Sequence, residues 1–191
     1  MSKSVVVFCG SRPGRDPAWL EAATQMGTGL ARAGIRLIYG GGRVGLMGAV
    51  ADATLAAGGQ VLGIIPEFLT RMEVAHTGLT TLEITDSMHS RKRRMFDLAD
   101  AFVTLPGGLG TLDETVEIIT WHQLRLHRKP ILICNTAGWA NALLAAFESA
   151  MNDGFASPTA RELYEVHPDV PAVLGRLKAL PAPQSTQSAR L

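Results

Sequence analysis

Cysteine, lysine and long apolar stretches are scarce in this chain of 191 residues. The two cysteines, Cys9 and Cys134, each end a short apolar segment, so we expect buried thiols rather than a disulfide framework. No stretch approaches the ~20 consecutive apolar residues that a membrane-spanning helix needs, and the apolar run at 5–9 is too short for the core of a signal peptide. We therefore expect a cytoplasmic protein that has no membrane partner.

Charged residues are few and nearly balanced in sign. They make up 18% of the chain, and 18 basic against 17 acidic residues leave a formal net charge of +1. A chain with this balance has no overall electrostatic field that would attract a nucleic acid polymer or an anionic membrane. Hydrophobic residues reach 47%, which is ample for one buried core, and we expect part of this apolar surface to lie between subunits.

Short β-branched segments alternate with longer segments of helical periodicity along the chain. Apolar strands separated by helices are typical of a parallel sheet that helices cover on both faces, so we predict an α/β fold with one doubly wound, Rossmann-like domain at 1–180. The segment 181–191, which contains Gln, Ser and Pro, is predicted to be a disordered tail. The predicted strands are 4–9, 35–39, 61–65, 81–84, 101–105 and 131–134, and the predicted helices are 17–32, 45–57, 87–98, 111–126, 138–151 and 170–177.

Two glycine-rich turns each follow a predicted strand and precede a predicted helix. They are YGGGRVG at 39–45 and LPGGLGT at 105–111. Such turns expose backbone N–H groups, glycine lets the chain approach an anion closely, and the following helix presents the positive end of its dipole. In a parallel sheet these turns lie at the carboxyl ends of the strands, where ligands bind. The pair of turns therefore predicts a phosphorylated ligand, and the long connection 66–80 is predicted to form a flap over it.

Each turn also has an alternative interpretation. Gly40, Gly42 and Gly45 match a dinucleotide-binding fingerprint with Glu67 as the acidic ribose ligand, and the same glycines would suit a tight turn that binds nothing. In the second turn, Thr111 and Glu114 have the spacing of a capping box, which would begin a helix without any ligand. The sequence alone leaves these alternatives open.

A basic run, MHSRKRRM at 88–95, precedes the second turn. On a helical wheel of ~100° per residue, Arg91 and Lys92 fall on the apolar arc, while Arg93 and Asp97 fall on the opposite side. Two cations that face inward near the N-terminal end of a helix are unfavourable unless an anion or a carboxylate meets them. We therefore predict a functional role for Arg91 and Lys92 and a solvated position for Arg93.

Three blocks of the sequence resemble the signature blocks of the Lonely Guy (LOG) family: YGGGRVGLMG at 39–48, MHSRK at 88–92 and PGGLGTLDE at 106–114. The resemblance extends over residues 5–147 and includes CGSR at 9–12 and IITW at 118–121. It implies a phosphoribohydrolase that cleaves the N-glycosidic bond of cytokinin riboside 5′-monophosphates, and in many members of AMP, to release the free base and ribose 5-phosphate. It also implies a homodimer with the site near the subunit interface. This chemistry requires no metal, and we expect no cofactor.

The resemblance assigns roles to single residues as well. Breaking a ribosyl–base bond develops positive charge on the sugar and negative charge on the departing base, so a carboxylate and a cation or acid are needed; by resemblance these are Glu114 and Arg91. Residues 108–111 would hold the 5′-phosphate through backbone N–H groups and a hydroxyl. Glu73 and Thr120 are substrate contacts by resemblance alone. The full predicted substrate-binding set is Ser11, Gly41, Gly42, Glu73, Lys92, Gly107, Gly108, Leu109, Gly110, Thr111, Leu112, Asp113 and Thr120.

Three other functions share parts of this pattern. A non-catalytic carrier of a nucleotide or of molybdenum cofactor would use the same glycine turns but would not need both Arg91 and Glu114. An NAD-dependent oxidoreductase would rest on the first turn alone. Proteins of this kind are often labelled lysine decarboxylases, yet a pyridoxal phosphate enzyme needs a lysine for its Schiff base, and only Lys92 of the four lysines lies near the predicted site. The five histidines lack a ligand cluster, so no metal site is predicted.

Overall fold

The computed structural model describes residues 2–70 and 75–181, and a parallel sheet forms its centre. The strands are β1 (Ser4–Phe8), β2 (Arg36–Tyr39), β3 (Val61–Pro66), β4 (Thr81–Thr85), β5 (Ala101–Thr104), β6 (Ile131–Cys134) and β7 (Glu165–His167). The helices are α1 (Pro17–Arg32), α2 (Gly45–Ala56), α3 (Met88–Leu98), α4 (Leu109–Gln123), α5 (Asn141–Asn152) and α6 (Val170–Ala179). Short 3-10 turns lie at Glu67–Leu69, Thr136–Gly138 and Pro158–Leu163.

The sheet carries a hydrophobic core on each face. Val5 and Val7 of β1 pack on one face with residues of α1, α2 and α6, whereas Val6 and Phe8 pack on the other face with residues of α3 and α4. Successive side chains of a strand point to opposite faces, so the continuous apolar runs of the sequence bury both sides of the sheet. The structure confirms the predicted α/β fold with a doubly wound parallel sheet.

The order of the strands reverses beside β1, which places a crevice at that point. The strand order is β4-β3-β2-β1-β5-β6-β7, so the chain builds outward from β1 on one side and then returns to start β5 on the other. The connections that leave β1 and β5 start side by side, because Gly10 N donates to the Pro106 carbonyl (3.0 Å) and Leu105 N donates to the Phe8 carbonyl (2.9 Å). In open α/β sheets, ligands bind at such a reversal, beyond the carboxyl ends of the strands.

The two helices that border this crevice begin in different ways. Ser87 caps α3 in a capping box, in which its Oγ accepts the Ser90 N–H (3.1 Å) and Ser90 Oγ accepts the Ser87 N–H (3.2 Å). The N-cap of α4 is Gly108, and no side chain of the described residues caps that helix. The alternative in which Thr111 and Glu114 form a capping box is therefore wrong, because α4 starts before Thr111 and places it within the first turn.

The remaining sequence predictions for the fold have mixed outcomes. Cys9 and Cys134 are both buried and free, as predicted. β7 was missed, because its three residues are too few for an alternating pattern to indicate a strand. Within the described ranges, no helix is both long enough and apolar enough to span a bilayer. The predicted tail from 182 onward lies outside the described residues.

His127 is a buried histidine that resists protonation. Its Nε2 donates to the Ile118 carbonyl (2.9 Å), its Nδ1 accepts the Lys129 N–H (3.1 Å), and its ring lies against Phe96 and Phe102. Burial lowers the pKa of this imidazole below its usual value. The unfolded chain, with a histidine pKa of ~6.5, therefore binds the proton more readily than the folded protein does. The stability contributed by neutral His127 is present above that pH and is lost as the pH falls below it.

Replacing His127 with glutamine tests this linkage. We expect His127→Gln to lower the free energy of unfolding at neutral pH by about 1–2 kcal/mol, because a buried hydrogen bond and ring packing are lost. We also expect the melting temperature of the variant to fall less steeply than that of the wild type between about pH 7 and about pH 5, where a histidine titrates. Thermal unfolding over this pH range measures both effects, and parallel curves would assign the acid sensitivity to other groups.

Candidate active site

The crevice beyond β1 and β5 contains a cavity of about 660 Å³. Its walls come from the connections after β1 and β5, from the first turns of α2, α3 and α4, and from the segment before α5. A concave site of this size is typical for a small-molecule ligand. The lining residues are Cys9, Gly10, Ser11, Arg12, Pro13, Gly14, Trp19, Leu46, Met47, Leu69, Met88, Arg91, Pro106, Gly107, Gly108, Leu109, Gly110, Thr111, Asp113, Glu114 and Trp139.

The second glycine turn forms one wall of this cavity, where the uncapped N-terminus of α4 opens onto it. A Cβ atom at Gly108 or Gly110 would meet no atom of the described residues within 4 Å. These two glycines therefore leave space beside the helix end instead of making room for a neighbouring side chain. Exposed N–H groups, open space and the positive end of the helix dipole together suit a phosphate group.

Trp139 holds this turn in place and lines the cavity itself. Its indole Nε1 donates a hydrogen bond to the Gly107 carbonyl (3.2 Å). Gly107 packs closely on the other side as well, since a Cβ atom there would overlap the Thr111 side chain. The Gly107 carbonyl is thus bonded to Trp139, which joins the turn to the segment that precedes α5.

Arg91 reaches the cavity from α3 and is only 5% exposed. Its Nε donates to the Ile64 carbonyl of β3 (3.0 Å), and its second terminal nitrogen donates to the Gly40 carbonyl, which follows β2 (3.2 Å). Because a guanidinium is planar, two such bonds fix its orientation as well as its position. The helical wheel is confirmed: Arg91 faces inward, whereas the Arg93 side chain is 67% exposed and pairs with Asp97.

Glu114 lies near the start of α4, is half-buried, and lines the same cavity as Arg91. Its charge is felt at the neighbouring thiol: burial, the larger cause, and the negative charge of Glu114 both raise the pKa of Cys9 well above its usual value. Cys9 is therefore a neutral thiol and not a nucleophile. The structure thus brings together in one cavity the carboxylate and the cation that the sequence singled out.

Lys92 points toward α4 and not into this cavity. Its Nζ donates to Asp113 Oδ2 (2.6 Å) and lies 3.3 Å from Glu117 Oε2. Partial burial acts to lower the pKa of this amine, but the two carboxylates outweigh burial and the pKa is raised. Lys92 therefore joins α3 to α4 as a charged group, and direct contact between Lys92 and a nucleotide stays a prediction.

The first glycine turn contacts Arg91, a residue of the cavity lining. Gly41 and Gly42 do not belong to its lining within the described residues. The Gly40 carbonyl accepts a hydrogen bond from Arg91, and the Gly41 carbonyl accepts the His76 N–H (2.9 Å). Both of these carbonyls of the first turn thus accept hydrogen bonds from other parts of the protein.

The N-terminus of α2, which follows this turn, is occupied in the same way. The N–H groups of Leu46 and Met47 both donate to the Gly10 carbonyl, at 3.0 and 3.2 Å. These N–H groups, which the sequence predicted to face an anion, therefore already bond to a backbone carbonyl. Of the two turns, the second therefore has the geometry that suits a phosphate.

The predicted flap is anchored to the first turn at its C-terminal end. Leu69 lines the cavity, Ala75 forms an antiparallel bridge with Gly42, and His76 Nε2 lies 2.8 Å from Asp52 Oδ1. Residues 71–74, which include the predicted substrate contact Glu73, lie outside the described residues. The described part of this connection thus borders the cavity on the side of β3.

The rest of the predicted substrate-binding set divides between the cavity and the surface. Ser11 and Asp113 line the cavity, whereas Leu112 and Thr120 are absent from its lining in the described structure. Thr120 is exposed on the outer face of α4, where its Oγ1 donates to the Val116 carbonyl (2.8 Å). A substrate contact by Thr120 would have to be made on that outer face.

Sequence reasoning missed several residues that line the cavity, notably Trp19, Met88 and Trp139. Trp19 lies within the apolar periodicity of α1, where core packing explains an aromatic residue equally well. Met88 belongs to the MHSRK block, but the resemblance gave it no role of its own. Trp139 follows a 3-10 turn and belongs to no motif. The bond from Trp139 to Gly107 arises from the approach of two distant segments, which no local pattern indicates.

Gly40 provides a test of why the first turn is rich in glycine. A Cβ atom at Gly40 would overlap the Arg91 guanidinium, so we expect Gly40→Ala to displace Arg91 and to lower kcat/KM about 100-fold, the cost of a small misplacement of a reacting group. Gly175→Ala is the matched control, since its Cβ meets no atom of the described residues within 4 Å, and its activity should be unchanged. Steady-state kinetics of the base release that the sequence resemblance predicts measure both variants, and full activity in Gly40→Ala would refute the expectation.

Comparisons with known proteins point to one family. A protein-family model described as "Possible lysine decarboxylase" matches residues 47–177. The chain is 44% identical over 178 residues to a cytokinin riboside 5′-monophosphate phosphoribohydrolase of Rhodococcoides fascians, which covers 93% of this chain and 90% of that protein. It is 43% identical over 176 residues to the cytokinin riboside 5′-monophosphate phosphoribohydrolase LOG7 of Arabidopsis thaliana, covering 92% and 81%.

Solved structures give a more distant similarity. The molybdenum cofactor binding protein from the phototrophic bacterium Rippkaea orientalis superposes with a TM-score of 0.71 at 20% identity, covering 94% of this chain and 97% of that one. At this level of identity the similarity shows the fold alone.

A lysine decarboxylase does not fit the lysines of this structure. Such an enzyme would bind pyridoxal phosphate through a lysine Schiff base, and no lysine lines the active-site cavity in the described ranges. Lys3 donates to carbonyls of Leu177 and Leu180, Lys129 donates to the Phe96 carbonyl, and Lys92 is held in its ion pairs. The described residues likewise contain no group of three or more His, Cys, Asp or Glu side chains that could hold a metal ion.

Proposed function

Because this chain belongs to the Lonely Guy (LOG) family of cytokinin riboside 5′-monophosphate phosphoribohydrolases, we propose that it hydrolyses the N-glycosidic bond of N6-modified adenosine 5′-monophosphates and of AMP. The products are the free base and ribose 5-phosphate. One observation carries the proposal: Arg91 and Glu114 line a single cavity whose adjoining wall is the open N-terminus of α4.

The phosphate would bind at the second glycine turn. The backbone N–H groups of residues 108–111 and the dipole of α4 favour a dianion there, and the cavity has room for a nucleotide beside it. Glu114 lies one helical turn beyond this wall. A nucleotide held by its phosphate therefore extends its sugar toward Glu114 and Arg91.

These two residues act on opposite sides of the breaking bond. As the bond between C1′ and the base nitrogen lengthens, its electron pair leaves with the base and positive charge grows on the sugar. Glu114 stabilises this positive charge and accepts a proton from the attacking water, whose oxygen bonds to C1′. Arg91 stabilises the negative charge on the departing base, which then takes up that proton. Hydrolysis is thereby balanced without a metal or a redox step.

We also propose that the protein acts as a homodimer in the cytoplasm. The outer face of α4 carries Thr120 between two apolar side chains, Val116 (40% exposed) and Leu124 (64% exposed), each one helical turn away. A second copy of the chain that covers this face would bury both apolar residues. It would also bring Thr120 next to the active site of that second copy. Light scattering after size-exclusion chromatography tests the dimer, and a monomer at micromolar concentration would argue against it.

The test of the activity is direct. The purified protein is incubated with AMP, with isopentenyladenosine 5′-monophosphate and with adenosine, and free base and ribose 5-phosphate are followed by chromatography. We expect base release from at least one of the two nucleotides and far slower release from adenosine, which lacks the phosphate. Tight retention of both nucleotides without base release would instead identify a carrier.

A further inference from the structure

A second cavity, of about 360 Å³, lies at the opposite end of α4 from the active site. α4 has 15 residues, which at 1.5 Å per residue span about 22 Å. Residues of its first turns line the active site, whereas His122 and Gln123 of its last turn line the second cavity. The far wall comes from the 3-10 turn Pro158–Leu163 and the residue before it. The two cavities are therefore separate sites.

The ionisable groups that line this second cavity are all basic. They are Arg125, Arg128, His122 and His127, and no carboxylate belongs to the lining in the part of the chain that the structure describes. Ser157, Thr159 and Gln123 add neutral polar groups. A concave surface that carries two guanidinium groups and no acid concentrates positive potential in a small volume.

The guanidinium groups of the two arginines have no partner in the part of the chain that the structure describes. Three other exposed arginines, Arg93, Arg94 and Arg161, and the half-buried Arg176 each pair with a carboxylate. By contrast, the side chains of Arg125 and Arg128 form neither an ion pair nor a hydrogen bond with any residue at 2–70 or 75–181. Their guanidinium groups donate no bond to the last carbonyls of α4 in the described structure, so side-chain capping of that helix does not account for them.

The backbone at Arg125 adds to this argument. Its φ is +61°, in the left-handed region where a helix ends and where glycine is the favoured residue. An arginine at this position is less favourable for the backbone than glycine would be. The conformation itself therefore gives no reason for an arginine, whereas a function of the guanidinium group does.

Two hydroxyl groups add donors for a bound anion, whereas the two imidazoles are held by contacts within the protein. His122 Nδ1 donates to the Leu163 carbonyl (3.0 Å), so in a neutral ring Nε2 is an acceptor and not a donor, and the ring stacks on His127 at 5.1 Å between centroids. On the other wall, the hydroxyls of Ser157 and Thr159 lie 2.8 Å apart, and each adds a rotatable O–H group.

We propose that this second cavity binds an oxyanion, namely the phosphate group of a small molecule. Guanidinium groups match the geometry of phosphate oxygens and form charge-assisted bonds with them. Inorganic phosphate and a sugar phosphate such as ribose 5-phosphate present the same group, so both are used as probes. This site is independent of the reaction proposed above.

Imidazole NMR of the full-length protein tests the proposal. Phosphate and ribose 5-phosphate are titrated separately while the ring signals of the five histidines are followed, with ribose as a probe that lacks the anion. We expect the signals of His122 and His127 to shift saturably with both phosphates and not with ribose. Equal affinities would identify the phosphate group alone as the ligand, and tighter binding of ribose 5-phosphate would identify a sugar phosphate.

A pair of variants makes the test specific. Arg125→Gly with Arg128→Gln removes both guanidinium groups while giving the left-handed position its favoured residue, and we expect phosphate to bind about tenfold or more weakly. Arg93→Gln with Arg94→Gln removes the same charge from the surface of α3 and should titrate like the wild type. The proposal is overturned if the two imidazole signals do not saturate in the wild type, or if the first variant binds phosphate as tightly as the second.

Discussion

Replacing Glu114 with glutamine should reduce kcat for base release by at least about 100-fold while KM for the nucleotide changes little. The amide keeps the shape of the side chain but carries no negative charge and accepts no proton, which are the contributions that general base and electrostatic catalysis supply. The nucleotide should still bind, because we propose that its phosphate is held by the backbone of residues 108–111 and not by Glu114. Steady-state kinetics with isopentenyladenosine 5′-monophosphate and with AMP measure the change.

The chain offers a matched control on the same helix. Glu117 is also a glutamate of α4, but it pairs with Lys92 (3.3 Å) and does not line the active-site cavity in the described structure. We expect Glu117→Gln to keep kcat within about threefold of the wild type, the small effect of a partly exposed ion pair. Comparable losses in both variants would mean that the charge of α4, and not the position of Glu114, matters for the reaction.

Replacing Arg91 with lysine should lower kcat/KM about 100-fold and also destabilise the fold. Lysine keeps the positive charge but lacks the planar fork, so it cannot bond the Ile64 and Gly40 carbonyls together at 3.0 and 3.2 Å. One buried carbonyl then loses its partner, at a cost of about 1–3 kcal/mol. Kinetics and thermal unfolding of the same preparation measure the two effects.

Arg93→Lys is the matched control, because it makes the same substitution at another arginine of α3. Arg93 is exposed and pairs with Asp97 one turn along the helix, an interaction that lysine can replace. We expect wild-type activity and a melting temperature within about 1 °C, since a surface change of this kind is usually worth less than ~0.5 kcal/mol. An active Arg91→Lys variant would show that the charge alone suffices and would contradict the proposed need for a fixed guanidinium.

The fold and the inward position of Arg91 could be predicted because each follows from a periodicity. Apolar runs such as Ile131–Cys134 are long enough to mark a buried parallel strand. The wheel placed Arg91 on the side of Met95, and both are buried. These features depend on residues that are neighbours in sequence, so a single chain contains the information.

The function of the first glycine turn could not be predicted, because a glycine makes room for an anion and for a protein group by the same means. At Gly40 the group that approaches is the guanidinium of Arg91, and at Gly41 the carbonyl accepts the His76 N–H. Both contacts join segments far apart in the sequence. Which of the two turns is left open to an anion depends on these long-range contacts, so it could be seen only in the structure.

The position of the tryptophans makes intrinsic fluorescence a reporter of ligand binding in this protein. Two of its three tryptophans, Trp19 and Trp139, line the active-site cavity, and Trp139 is bonded to the turn that we expect to hold the phosphate. Indole emission responds to polarity and to hydrogen bonding at the ring nitrogen, so a nucleotide that enters the cavity changes the fluorescence of the unlabelled enzyme. Binding can thus be recorded in an inactive variant such as Glu114→Gln, on the time scale of mixing, without a substrate analogue or a dye.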